Sequence, residues 1–354
     1  MPAHVFLDGS VYSPADPFAT ALVINEGQVE WVGQDAGARS ILDDSMQLTE
    51  LAGRLVAPSF GLAAAAVTEQ DAPALCDQLA AAGYGVAHLL LPEPGRTYPQ
   101  HPALEVRYYL PLAGLDLDQA PDGLGHLELE QVGGVYVTDP ADLTEGVLTH
   151  LATLRLNLIA ALQGPEAIGD YLNRLASLDP ISRIRISPRL DGLTQLSDDH
   201  LAQAKDLQVT LGFSSDFDAS AEAFSRALAA GASVALGSDP LSRPQALGWE
   251  LINRAVNPSQ PDQAVSARAA FQATTRSIYR ATGTPNPLTG QLVPGAAAHF
   301  ALWQITELMV QTPDSRISAW STDPRARTPL LPVLAQDVPR PQLVGLYRAG
   351  QAVG

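Results

Sequence analysis

The feature that most constrains this chain is an alternation. From about residue 55 to residue 282, short apolar runs that read as strands take turns with stretches of helical periodicity. Strand-like runs fall near 55–61, 84–91, 105–112, 133–138, 156–162, 183–187, 207–213 and 232–238. Helix-like stretches fill 69–82, 141–154, 166–177, 197–205, 218–230, 245–256 and 266–282. Eight strands with helices between them predict an α/β fold with a closed parallel sheet, a (β/α)8 TIM-like barrel. Residues 92–104 and 113–132 are rich in Pro, Gly and Asp and show no clear helix, so the barrel is expected to be irregular in its middle.

Before the alternation, residues 5–12 and 20–33 read as strands, the second with a hairpin turn at Asn25-Glu26-Gly27. After it, residues 299–303 and 342–347 read as strands again. Residues 1–52 and 288–354 are therefore expected to form one small composite β domain, a β-sandwich flanking a barrel at 53–287.

Composition narrows the class. The 354 residues are 46% hydrophobic, enough for a large core, and no apolar run approaches the ~20 residues of a membrane span. No basic segment followed by an apolar stretch opens the chain, and the single cysteine, Cys76, rules out an internal disulfide. These features lead to the expectation of a cytoplasmic protein. The net charge is −17, which argues against nucleic acid or an anionic membrane as partner. Lys205 is the single lysine and lies in a helical stretch, so Schiff-base chemistry and a carboxylated-lysine metal bridge are not expected.

Residues 53–68, G-R-L-V-A-P-S-F-G-L-A-A-A-A-V-T, resemble the first barrel strand of the amidohydrolase superfamily, whose pattern is roughly G-R-x-V-x-P-G-F-[IV]-D-x-H-x-H. The second half resembles the branch acting on N-substituted amides and formamides. The matching stretches are A-L-G-S-D-P at 235–240 followed by Pro244, the helix at 266–280 and the return at 290–303. W-S-T-D-P at 320–324 is similar to a tail of actinobacterial members. The resemblance implies the barrel, and a hydrolase of carbon–nitrogen bonds using zinc or another divalent metal.

Carried over residue by residue, the metal ligands are missing. Ala64 and Ala66 stand where the first-strand histidines belong, and Leu62 where the aspartate belongs. Tyr136 falls at the bridging-lysine position, Ile159 near the fifth-strand histidine, and Pro188 at the sixth-strand histidine. Only Asp239, the eighth-strand acid that would activate a metal-bound water, remains. The expectation is therefore no metal and no other cofactor.

Seven histidines occur without any H-x-H, H-x-x-x-H or H-E-x-x-H pair. His88 is the one expected inside the barrel, where a lone histidine is ordinarily structural. Asp139, Arg189 and Asp239 are expected near the barrel mouth, with Arg243 as a partner for Asp239. Ser214, Ser215 and Asp216 follow the seventh strand and fit a helix N-cap as well as a site. His88, Asp139, Arg189, Ser214 and Arg243 are thus the candidate ligand-binding residues, and Asp239 the catalytic remnant.

Two readings stay open. One is a pseudoenzyme that binds a small-molecule ligand or a protein partner, or serves as a structural subunit, with a homodimer compatible with either. The other is a hydrolase of non-peptide carbon–nitrogen bonds that uses Asp239 in a non-standard site.

Overall fold

The structure is a computed structural model that describes residues 2–93, 100–115, 117, 132–240, 245–283, 286–314, 317–321, 328–335 and 337–353. Most of the stretch expected to be irregular lies outside the described residues.

Eight strands close into a parallel barrel, numbered here β1 (Phe60–Ala66), β2 (Tyr84–Leu90), β3 (Glu105–Pro111), β4 (Val132–Val137), β5 (Asn157–Ala160), β6 (Arg189–Leu193), β7 (Thr210–Ser214) and β8 (Val234–Ser238). Such strands are covered on both faces and therefore read as nearly continuous apolar runs. The helices that cover them start where the sequence supplies caps. Thr144 accepts from the Val147 N–H, Ser197 from the His200 N–H and Ser266 from the Ala269 N–H, each satisfying a donor that the first helical turn leaves open.

Two strand assignments differ from expectation. Residues 183–187 are not the sixth strand. Residues 183–186 belong to the helix Pro180–Ile186, which Ser187 ends, and its N-cap Asp179 accepts from the Ile181 and Ser182 N–H groups. The alternation in R-I-R-I-S imitates a strand, and the strand itself comes later, at Arg189–Leu193. Leu55–Pro58, expected as the start of the first barrel strand, instead pairs antiparallel with Phe300–Gln304. Ser59 separates it from β1, and its hydroxyl is hydrogen-bonded to the Tyr279 hydroxyl at 2.7 Å.

That pairing ties the chain ends together. Ser10–Val11, Leu55–Pro58, Phe300–Gln304, Gln342–Arg348 and Gln351–Ala352 form one sheet, so N- and C-terminal segments share it. A second sheet holds Gln28–Gly33, Ala21–Asn25, His4–Leu7 and Gln47–Glu50 in that order. Trp303 of the first sheet packs against Phe60 of β1 and Trp249 of the helix Trp249–Val256, with ring centroids 5.6 Å apart in both cases. Phe271 stacks on Trp249 at 5.3 Å, closing an aromatic cluster between the barrel and this sheet. No helix among the described residues is long and apolar enough to cross a membrane.

Candidate functional site

Parallel barrels present their working groups at the carboxyl ends of the strands. At that end Ala64, Leu90, Tyr109 and Ile159 pack together, with Tyr136 and Ala161 at their edge. Ala64 is 4% exposed, whereas Ala66, at the tip of β1, is open to solvent. The Tyr136 hydroxyl donates to the Leu91 carbonyl at 3.0 Å, and burial raises its pKa. Pro188 is not at this end. It precedes β6, and its carbonyl accepts from the Thr210 N–H at 3.0 Å, at the opposite mouth of the barrel. Its assignment to the sixth-strand histidine fails with the strand that was expected at 183–187.

Asp239 follows β8 and is exposed, in the left-handed region at φ 53°. Its N–H donates to the Ala64 carbonyl at 2.8 Å, and its own carbonyl accepts from the Ser215 hydroxyl at 2.8 Å. Asp139 does not join it. Its carboxylate accepts from the Ala141 N–H at 2.8 Å and caps a 3-10 turn at Pro140–Asp142. The Ser214 hydroxyl accepts from the Asp216 N–H at 3.1 Å, in the turn that leads into the helix Phe217–Ala229. Arg243 lies outside the described residues.

Below the mouth, the barrel interior is polar. Arg189, the first residue of β6, is fully buried together with His88 of β2. One guanidinium nitrogen, Nη1, lies 2.8 Å from His88 Nδ1, and the other, Nη2, donates to the Ala63 carbonyl of β1. Arginine has no acceptor, so this contact is a hydrogen bond in the tautomer that leaves Nδ1 unprotonated. The Ala63 carbonyl also lies 2.9 Å from His88 Nδ1, which donates to it in the other neutral tautomer. Burial, with Arg189 beside it, pushes the His88 pKa well below its ordinary value, in keeping with a neutral ring.

The counter-charge is Asp191, two residues along β6 and also buried. Its Oδ2 lies 2.9 Å from Arg189 Nη2, and its Oδ1 accepts from the Ser238 hydroxyl of β8 at 2.7 Å. Tyr171 donates to the Arg189 carbonyl at 3.2 Å from the helix Pro165–Ser177. Asp191 and Ser238 were missed from sequence. An Arg-x-Asp alternation on one strand is the signal that would have found them, had the strand been placed at 189–193.

The structure therefore does not gather Asp139, Arg189 and Asp239. It joins His88 to Arg189 and adds Asp191 and Ser238, while Asp139, Ser214 and Asp239 lie at the carboxyl ends of their strands.

A family model described as the amidohydrolase family matches residues 151–326, which span β5 to β8 and the return to the terminal sheet. The chain belongs to the amidohydrolase superfamily. An amidohydrolase from an environmental sample of the Sargasso Sea superposes with TM-score 0.67 at 14% identity, covering 100% of this chain and 93% of that one. E. coli guanine deaminase gives 0.60 at 14%, covering 100% and 98%. A mutant of atrazine chlorohydrolase TrzN from Arthrobacter aurescens, complexed with zinc and atraton, gives 0.61 at 14%, covering 99% and 94%. At this identity the solved structures share the fold. No curated protein sequence matches the chain significantly.

For this amidohydrolase-superfamily member, the test of a metal is chemical. Ala64, Ala66 and Ile159 end in alkyl groups without a lone pair, and Tyr136 is a neutral hydroxyl already bonded to a carbonyl. The residues present at this position do not fit the metal the family implies.

Proposed function

We propose that this chain is a ligand-binding member of the superfamily that does not carry out metal-assisted hydrolysis. The observation that carries the reading is the alkyl lining of the mouth at Ala64, Ala66 and Ile159. Water is a poor nucleophile at neutral pH, and a metal activates it by bringing its pKa from about 15.7 to about 7. Asp239 acting alone as a general base supplies roughly 10²–10⁴-fold, far short of the rate enhancements of at least about 10⁶ that are typical of enzymes. The ligand is a small molecule or a protein segment that enters the mouth, and a cytoplasmic location, motivated by the lone Cys76, belongs to the same proposal.

A second reading, a hydrolase of non-peptide carbon–nitrogen bonds, has specific support. The family model and the names of the similar structures favour it, and Asp239 follows β8 with its N–H bonded to the Ala64 carbonyl. One assay separates the two. Purified protein is offered N-substituted formamides, amides and an amino-substituted heterocycle, beside Asp239→Asn. Turnover no greater than the variant's supports the binding role, and turnover that Asp239→Asn abolishes establishes the hydrolase.

A further inference from the structure

We infer that Arg189 and Asp191 form a resident clamp that closes the barrel interior and makes the fold independent of a bound metal ion. Its metal-independence arm rests on the reading of the mouth, while the Gly212→Ala and double-variant arms test the interior clamp separately from that reading.

The clamp starts on β6 and reaches four other strands. Arg189 grips the Ala63 carbonyl of β1 and His88 of β2. Asp191 takes the Ser238 hydroxyl of β8 and lies against Gly212 of β7. Contacts between β6 and β1 cross the barrel axis, since the two strands are not neighbours in the sheet.

The backbone is shaped to admit it. The register of β1 against β2 slips between Leu62 and Ala65, where the Ala63 carbonyl turns toward the guanidinium. The register of β6 against β7 slips between Leu190 and Leu193, around Asp191. Ladder irregularities of this kind re-aim groups that regular pairing would otherwise hold. Gly212 supplies the space: a Cβ there would lie 1.9 Å from Asp191 Oδ1 and 2.6 Å from its Cγ. Gly212 is not among the residues with positive φ, so the glycine serves the carboxylate's volume and not a turn.

The electrostatics set the direction of each substitution. A buried pair of charges is costly to create, yet removing one partner leaves the other uncompensated in a low-dielectric interior, which is worse than losing both. Arg189 supplies a fixed cation at the barrel centre, and its countercharge comes from the same strand. Nothing in that arrangement calls for an exchangeable ion.

The test is thermal unfolding of the full chain with and without a chelator. EDTA is expected to leave the wild-type Tm unchanged. Arg189→Met should lower Tm by about 5–10 °C, and Arg189→Met/Asp191→Leu should recover part of that loss. Gly212→Ala should also lower Tm, because the new methyl cannot share the slot with Asp191. Where the charge variants fail to fold, the EDTA comparison decides metal independence and Gly212→Ala decides the clamp. A fall in wild-type Tm with EDTA, full tolerance of Gly212→Ala, or a double variant less stable than Arg189→Met would each overturn the inference.

Discussion

The N–H of Asp239 donates to the Ala64 carbonyl at 2.8 Å, so the acid that follows β8 is held beside the first-strand position where the resemblance expects a histidine. The bond uses backbone atoms and sets Asp239 at φ 53°, a conformation that Asp and Asn tolerate and β-branched residues do not. Asp239→Asn should therefore change stability by less than about 0.5 kcal/mol, while Asp239→Val should cost roughly 1–2 kcal/mol. Urea unfolding of the two variants checks this, and equal costs would show that the carboxylate carries the stability.

The mouth has closed over the first of the two β1 positions and left the second open. Ala64 is packed among Leu90, Tyr109 and Ile159, whereas Ala66 faces solvent. Restoring an imidazole at Ala64 overpacks that cluster and should cost roughly 1–3 kcal/mol. Ala66→His should be nearly neutral, within about 0.5 kcal/mol. Urea midpoints of the single variants give the comparison; a freely tolerated Ala64→His would mean that the space for a ligand histidine persists.

His88 makes stability depend on pH. Its folded pKa is held well below the ordinary imidazole value by burial and then by Arg189. The unfolded chain takes up this proton near pH 6.5, so below that pH the unfolded state binds more protons. The stability due to a neutral His88 is fully present above about pH 6.5 and is lost as pH falls toward the folded pKa, by up to about 1.4 kcal/mol per unit. Burial also lowers the pKa values of His4 and His299, so the share of His88 is the difference in slope between wild type and His88→Gln. Urea unfolding from about pH 6.5 to 5 should show the wild type falling more steeply. Parallel slopes would contradict the buried neutral ring.

The barrel was legible in the sequence because strands covered on both faces must be apolar, and seven of the eight expected runs fall on or beside observed strands. The sixth was misplaced for a physical reason. Ile181 and Ile184 of the helix Pro180–Ile186 are 65% and 64% exposed, so apolar residues stand where a surface helix ordinarily shows polar ones. The true strand, in turn, carries a buried arginine and aspartate where apolar residues are the rule. The charge pair concealed β6, and with it the interior partners of His88. The first-strand substitutions needed no fold to be seen, since no histidine occurs between His4 and His88.

Elemental analysis of the purified 354-residue chain, expressed with zinc, iron and manganese in the medium, tests the central claim most directly. The account predicts well under one equivalent of any of these metals per chain, with no loss of folded protein after dialysis against a chelator. One or more equivalents of tightly held metal, released by the chelator together with a drop in Tm, would contradict it.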